Sequence, residues 1–244
     1  MKIKSLLLIH LAILILAGTF FWPVTRPFWD AIDLSVFKTL NGTLKGHHYA
    51  QVFWALINHQ LTDWIEDLVF ITFFILAIRA APRGEKLRRT AQCLFLLLYA
   101  ACIIFFVNRM LFRESFDIPR DSPTLVVSHS TRISDEIFWL KVKDDSTSSF
   151  PGDHATTLLL FAGGYTLIAG WRLGRYACLY ALFRALPRLI AGAHWFTDIA
   201  VGSLSITLFF LAWGFLTPLH IWVTSAIERF LRLFTRRYPE SIKT

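Results

Sequence analysis

Charge is what this sequence has least of. Charged residues make up 17% of the 244 and hydrophobic ones 55%, with a mean hydropathy of +0.51, a balance from which a water-soluble surface is hardly built. Cysteine is scarce too: Cys93, Cys102 and Cys178 fall inside apolar runs without metal-type spacing, so they read as buried apolar thiols and imply no disulfide framework. Absent as well are a glycine-rich Walker loop and a kinase signature, which removes nucleotide-dependent phosphoryl transfer. No internal repeat or low-complexity tract is present.

What the chain has in abundance is apolar runs. Six of them, 6–22, 64–78, 90–107, 155–171, 176–190 and 199–216, approach the roughly 20 residues that cross a bilayer as a helix. The first begins with Lys2 and Lys4 but runs into Phe20-Phe21-Trp22-Pro23 without a small-residue cleavage site, so it reads as a retained helix rather than a signal peptide. The net charge of +8 reports topology rather than nucleic-acid binding. Arg79, Arg83, Lys86, Arg88 and Arg89 between the second and third runs, and Arg172 and Arg175 between the fourth and fifth, mark cytoplasmic loops. Lys2 and Lys4 agree, as do Arg229, Arg232, Arg236, Arg237 and Lys243.

The expected fold is therefore all-α: a single membrane domain over 1–244, an integral bundle of six transmembrane helices, with an outer loop at 113–154 and a cytoplasmic basic tail at 220–244. In that tail Ile227, Phe230, Leu231 and Phe234 recur at i, i+3, i+4, i+7, as in a helix lying on anionic lipid; a solvated basic end fits equally well. Segments 23–63, 108–154 and 191–198 fall on the outer side, and the chemistry-bearing residues lie there.

His194 and Asp198 are four apart and share a helical face, so the carboxylate can fix the imidazole tautomer and stabilise the charge that develops if the free nitrogen attacks an electrophile. Alone, such a pair is more often a simple polar contact. Arg188 lies six residues earlier, and Ala191-Gly192-Ala193 between them should break the helix and let the two converge. An arginine there either snorkels to headgroups or clamps phosphate bidentately; Arg184, one turn earlier, fits snorkelling better.

Pro151-Gly152-Asp153-His154 precedes the fourth run, placing backbone N–H groups at a helix N-terminus that attracts anions. A turn and cap explain Pro, Gly and Asp but leave His154 unaccounted for; protonated, it can donate to a leaving-group oxygen. Arg113 and Arg120, just outside the third run, join Arg188 as cations able to neutralise a transferring phosphoryl group.

These three patches resemble the type 2 phosphatidic acid phosphatase superfamily, whose motifs are K-x6-R-P, P-S-G-H and S-R-x5-H-x3-D. Arg188-x5-His194-x3-Asp198 keeps the third motif's spacing with Pro187 replacing its Ser. Pro151-Gly152-Asp153-His154 stands for the second, and Arg113-x6-Arg120 for the first with Lys changed to Arg. The resemblance implies His194 as a nucleophile forming a phosphohistidine, Asp198 as its orienter and His154 as the acid, with Arg113, Arg120, Arg188 and the Gly152 N–H on phosphate. Three departures stand out: the second motif lacks its Ser, the first lacks its Lys, and Asp153 adds an anion, expected to act as a cap or to point toward an Arg.

Within the superfamily, Ser149-Phe150-Pro151-Gly152-Asp153-His154, Gly192-Ala193-His194-Trp195-Phe196-Thr197-Asp198 and Arg120-x-x-Pro123-Thr124-Leu125 look like the lipid A phosphotransferase branch. That likeness implies a Gram-negative inner-membrane enzyme, its active site on the periplasmic side, moving phosphate from undecaprenyl pyrophosphate to the 1-phosphate of lipid A and releasing undecaprenyl phosphate. The motifs do not choose between transfer to a lipid and transfer to water, so an undecaprenyl pyrophosphate or other lipid phosphate phosphatase stays open. A metal site built from His154, His194 and Asp198 is disfavoured because the arginines already supply the charge, so neither metal nor other cofactor is expected. A non-catalytic scaffold binding anionic headgroups is the remaining class, against which the ordered motifs argue. The site should open toward lipid, with 126–148 either reading the acceptor headgroup or covering the site. Asn58, His59, Asp63 and Glu66 share that side without an assigned task.

Overall fold

The computed structural model describes residues 2–59, 61–116 and 118–235; Arg236, Arg237 and Lys243 of the expected basic tail lie outside them. In chain order the helices are α1 (Ile3–Phe21), α2 (Arg26–Gly42), α3 (His48–Ile57) and α4 (Leu61–Ala80). Then come α5 (Lys86–Ile103), which widens into a π-helical stretch at Ile104–Phe116, and the single turns α6 (Pro123–Val126) and α7 (Ile133–Glu136). After them follow α8 (Asp153–Ala169), α9 (Trp171–Ile190), a π-helical turn at Asp198–Ser203 that leads into α10 (Leu204–Leu216), and α11 (Leu219–Thr235). No strand occurs among the described residues.

Each of the six apolar runs is a helix: α1, α4, α5, α8, α9 and α10. Three helical segments are both long and apolar enough to cross a membrane, Ile3–Phe21, Arg83–Phe116 and Asp198–Leu216. The others fall short for visible reasons. α4 carries Asp63, Glu66 and Asp67, α9 carries Arg172, Arg175, Arg184 and Arg188, and α8 has only 17 residues. Residues outside the runs supply the rest of the fold: α2 and α3 fill the 23–63 segment that periodicity left unassigned.

The bundle closes around α8, which packs on α5, α9 and α10. Small residues make this close: a Cβ on Gly164 would come 2.3 Å from Leu96 Cδ1 of α5, and one on Gly163 2.4 Å from Leu211 Cδ1 of α10, so leucines of the neighbouring helices lie directly on the glycines of α8. Phe70, Phe161 and Tyr165 stack through the middle, Phe70 on Phe161 at 3.9 Å between centroids and Phe161 on Tyr165 at 5.6 Å. On α1 the side chains of Leu7, Leu8, Leu11 and Leu14 are exposed, as lipid-facing residues are.

At one end α2, α3 and the 118–152 segment form a polar cap over the helix ends. Asn41 of α2 fixes it, donating to the Thr131 and Ile190 carbonyls at 2.9 and 3.0 Å and accepting from Thr131 N at 2.8 Å. Asn58 donates to the Lys143 carbonyl at 2.9 Å. Inside the cap the segment around Arg120 is tied to the one before α8: Arg120 N donates to Thr147 O, Ser122 N to Ser146 O and Ser149 N to Arg120 O. The first two motifs are thereby stitched together.

Candidate active site

His194 is carried on a turn that the sequence dictates atom by atom. α9 ends at Ile190, Gly192 takes φ +75°, and the Gly192 and Ala193 N–H groups return to the Leu189 and Arg188 carbonyls at 3.2 and 3.0 Å. This is a Schellman cap with glycine at its left-handed position. The His194 N–H also reaches the Arg188 carbonyl, at 3.3 Å, so the six-residue offset between the arginine and the histidine is one cap and not two helical faces. The expected helix break at 191–193 is present.

The His194 imidazole is 7% exposed. Its Nδ1 lies 2.8 Å from the Ser149 carbonyl oxygen, which can only accept, so Nδ1 bears the hydrogen and Nε2 is left with a free lone pair. Asp198 Oδ2 stands 3.5 Å from the same Nδ1. The orienting bond thus comes first from a backbone carbonyl of the second motif, with the carboxylate close behind, because Asp198 is engaged elsewhere: Oδ2 accepts from Trp195 N at 2.8 Å, and Oδ1 is paired with Arg120.

Arg120 sits between two buried carboxylates. It pairs with Asp198, reaches Asp33 Oδ2 of α2 at 2.6 Å, and donates to Thr197 Oγ1 at 2.9 Å. Asp33 also accepts from Thr197 N at 2.8 Å and Thr197 Oγ1 at 2.6 Å. Burial pushes the Asp33 carboxyl above its ordinary range, against the hydrogen bonds from Thr197 and the pull of Arg120. The resemblance sets Arg120 on phosphate; in the structure its guanidinium is engaged by Asp33, Asp198 and Thr197. Arg113 is likewise paired with Asp153, which also accepts from Asn108 Nδ2 at 3.1 Å. Asp153 therefore points toward an Arg, one of the two orientations expected of it.

Gly152 caps α8 and presents its Cα face to His194; a Cβ there would lie 3.7 Å from His194 Cε1 and 3.3 Å from Ser203 Oγ. Its carbonyl accepts from Ser203 Oγ at 2.8 Å and from Thr156, which holds the N-terminus of α8 against His194. His154 follows, half-buried, and feels the charges of Arg188, Arg184 and His194. Arg188 makes one contact at the limit of a hydrogen bond, 3.5 Å to the Lys143 carbonyl, and no ion pair within 4 Å among the described residues. Lys143, an exposed residue, stands beside it: partial desolvation of its ammonium, with Arg188 and Arg113 nearby, pushes it below the ordinary lysine range, while Asp153 and Asp63 pull the other way. Cations crowded this way have an anion as their natural partner.

The structure brings His194, Asp198, His154, Gly152 and Arg188 to one end of the bundle, with Arg113 and Arg120 at its edges. Sequence reasoning missed Asp33, Lys143 and the Ser149 carbonyl. It also assigned Arg184 to snorkelling, whereas that guanidinium is 6% exposed and pairs with Glu66. Among the described residues no group of three or more His, Cys, Asp or Glu side chains could hold a metal ion. From the polar end, where Arg113 and Asp153 lie, a cavity of about 830 Å³ runs between α4, α5 and α8, lined by Phe70, Phe74, Leu96, Ala100, Ile104 and Phe161.

Residues 118–225 match the family model described as the PAP2 superfamily. Over 238 residues, 98% of this chain and 95% of the relative, the chain is 30% identical to lipid A 1-diphosphate synthase of Escherichia coli (strain K12). No solved structure gives a significant match. The matched span contains His154, Arg188, His194 and Asp198. It follows that this multi-pass membrane chain belongs to the PAP2 superfamily, and is an enzyme of its lipid phosphotransferase and phosphatase type.

Proposed function

We propose that the protein transfers a phosphoryl group from undecaprenyl pyrophosphate to the 1-phosphate of lipid A through a phosphohistidine on His194. The helices α1, α4, α5, α8, α9 and α10 are the six spans, and the site faces the periplasm from the bacterial inner membrane. The observation that carries this reading is the His194 ring itself, whose Nδ1 is held by the Ser149 carbonyl with Asp198 behind it. Its Nε2 lone pair is therefore the available nucleophile, at the same end of the bundle as Arg188, which makes no ion pair within 4 Å among the described residues.

In the first step Nε2 attacks the terminal phosphorus of the donor and a P–N bond forms. The bond from phosphorus to the bridging oxygen breaks, its electron pair going to that oxygen, which takes a proton from His154. In the second step an oxygen of the acceptor's phosphate attacks the phosphohistidine, the P–N bond breaks, and His154 receives any proton the acceptor loses. Arg188, Lys143 and the N-terminus of α8 stabilise the transferring phosphoryl, and Arg113 and Arg120 add positive field from within their ion pairs. No metal or other cofactor is needed. The apolar cavity beside α8 gives a prenyl or acyl tail a place while the pyrophosphate sits among the cations. Membrane topology, with the arginine-rich connections inside, supports the periplasmic side.

The test uses purified protein and undecaprenyl pyrophosphate labelled at its terminal phosphate, with and without lipid A. Label appearing on lipid A supports the transferase. Label released as free phosphate at the same rate with and without lipid A makes the protein a phosphatase instead.

A further inference from the structure

Glu66 lies near the start of α4, on the face it shares with Thr62, Asp63 and Phe70, and is 5% exposed. A carboxylate is costly there unless paired. Its Oε2 receives Arg184 Nε at 2.9 Å, and the same oxygen lies 3.5 Å from His154 Nε2. Arg184 is itself pinned, Nη1 donating to the Ile57 carbonyl at 2.9 Å and Nη2 to Thr62 Oγ1 at 3.3 Å. The carboxylate is thus fixed from α3, α4 and α9 at once. Glu66 is the one carboxylate within 4 Å of His154 among the described residues. Arg188, Arg184 and His194, each a cation or able to become one, also act on that ring, and the Arg184 backbone hydrogen-bonds to it.

From this geometry we infer that Glu66 is the positioning residue of His154: its carboxylate holds the Nε2–H, turns Nδ1 to the leaving-group oxygen, and supplies the counter-charge for the protonated ring. The inference rests on the phosphohistidine reading above, in which His154 is the acid. The proton given to the leaving oxygen comes from Nδ1 of the imidazolium; Nε2–H stays on the ring, facing the Glu66 carboxylate at 3.5 Å, and Glu66 remains ionised throughout. A plain structural role, neutralising Arg184, is the competing reading, and it makes a different prediction.

The two separate on leaving groups. A bridging oxygen needs a proton to depart as an alcohol, whereas a bridging sulfur leaves as a thiolate without one. Full-length protein in detergent is given two long-chain phosphates differing only in that atom, an O-alkyl and an S-alkyl ester. For each variant the ratio of the two rates is read. The ratio does not depend on the fraction of protein that folds, so instability cannot imitate the effect.

His154→Ala is expected to lower the O-ester rate by about 10²-fold or more while largely sparing the S-ester. Glu66→Gln, whose amide oxygen still accepts from Arg184, is expected to lower the O-to-S ratio by at least about tenfold, part of what a general acid supplies, and to add little in combination with His154→Ala. If Glu66→Gln yields no folded protein, Glu66→Asp carries the same test, since it keeps a negative charge near Arg184 while drawing the carboxylate back from its already longer, 3.5 Å contact with His154. A wild type inert toward both esters and toward undecaprenyl pyrophosphate sinks the enzymatic reading itself. A His154→Ala variant that loses both rates equally removes the acid, and Glu66 with it. Selectivity in His154→Ala but an unchanged ratio in Glu66→Gln overturns the inference alone and returns Glu66 to Arg184.

Discussion

Replacing Gly192 with alanine isolates the turn that carries His194. At φ +75° an L-residue costs about 1–2 kcal/mol in the left-handed region. The new methyl would also come 2.6 Å from Thr124 Cγ2 and 2.7 Å from Phe37 Cε2. Both neighbours are held, Thr124 by bonds to the Asp144 and Gly192 carbonyls and Phe37 in its buried place on α2. Relieving such overpacking adds about 1–3 kcal/mol, for a total of about 2–5 kcal/mol. Gly46 is the control: it has φ +74° and nothing within 4 Å of its would-be Cβ, so alanine there costs only the conformational part, about 1–2 kcal/mol. Activity should separate the pair more sharply. The Ala193 and His194 N–H groups hang on the Arg188 carbonyl, and displacing His194 by about 1 Å costs on the order of 10²-fold in rate. Thermal unfolding in detergent, with turnover of a prenyl pyrophosphate on the same samples, reads both quantities. Equal melting and equal turnover for Gly192→Ala and Gly46→Ala would refute the reasoning.

Asp33→Asn removes one of the two carboxylates that hold Arg120 and should destabilise by about 3 kcal/mol, the low end for a broken buried pair because Asp198 remains; chemical denaturation measures it, and a change below about 1 kcal/mol denies the network its role. Lys143→Ala should raise KM for the pyrophosphate donor more than it lowers kcat, since an exposed ammonium beside Arg188 serves the bound phosphate as much as the transition state; steady-state kinetics decide, and an unchanged KM removes Lys143 from the site. Chelation with EDTA should leave turnover intact, as phosphoryl charge is met by arginine and lysine; activity lost in EDTA and restored by a divalent ion would reinstate a metal.

Much of this architecture is legible from local pattern. The six apolar runs each coincide with a helix, and Ala191-Gly192-Ala193 break α9 where propensity says they should, because caps and periodicity are written within a few residues of where they act. Contacts between distant segments are not written that way. Asp33 meets Arg120 and Thr197 across 87 and 164 residues, and Glu66 meets Arg184 across 118; no spacing rule reaches so far. The Ser149 carbonyl that orients His194 is a backbone group, identical at every position in the sequence and made specific only by the fold. Arg184 was misjudged because a lone arginine near a helix end snorkels by default, and only the carboxylate on α4 reveals that this one turns inward. The same carboxylates and arginines explain why α4 and α9, helical as expected, are less apolar than a simple span.

The central claim is that His194 accepts the phosphoryl group covalently. Rapid quench of the protein with donor labelled at its terminal phosphate reads this directly, since a phosphohistidine is labile to acid and stable to alkali. Alkali-stable, acid-labile label is expected on the wild-type chain within a single turnover and none on His194→Ala. Donor turnover without protein-bound label at any time, or label that persists in His194→Ala, would contradict it.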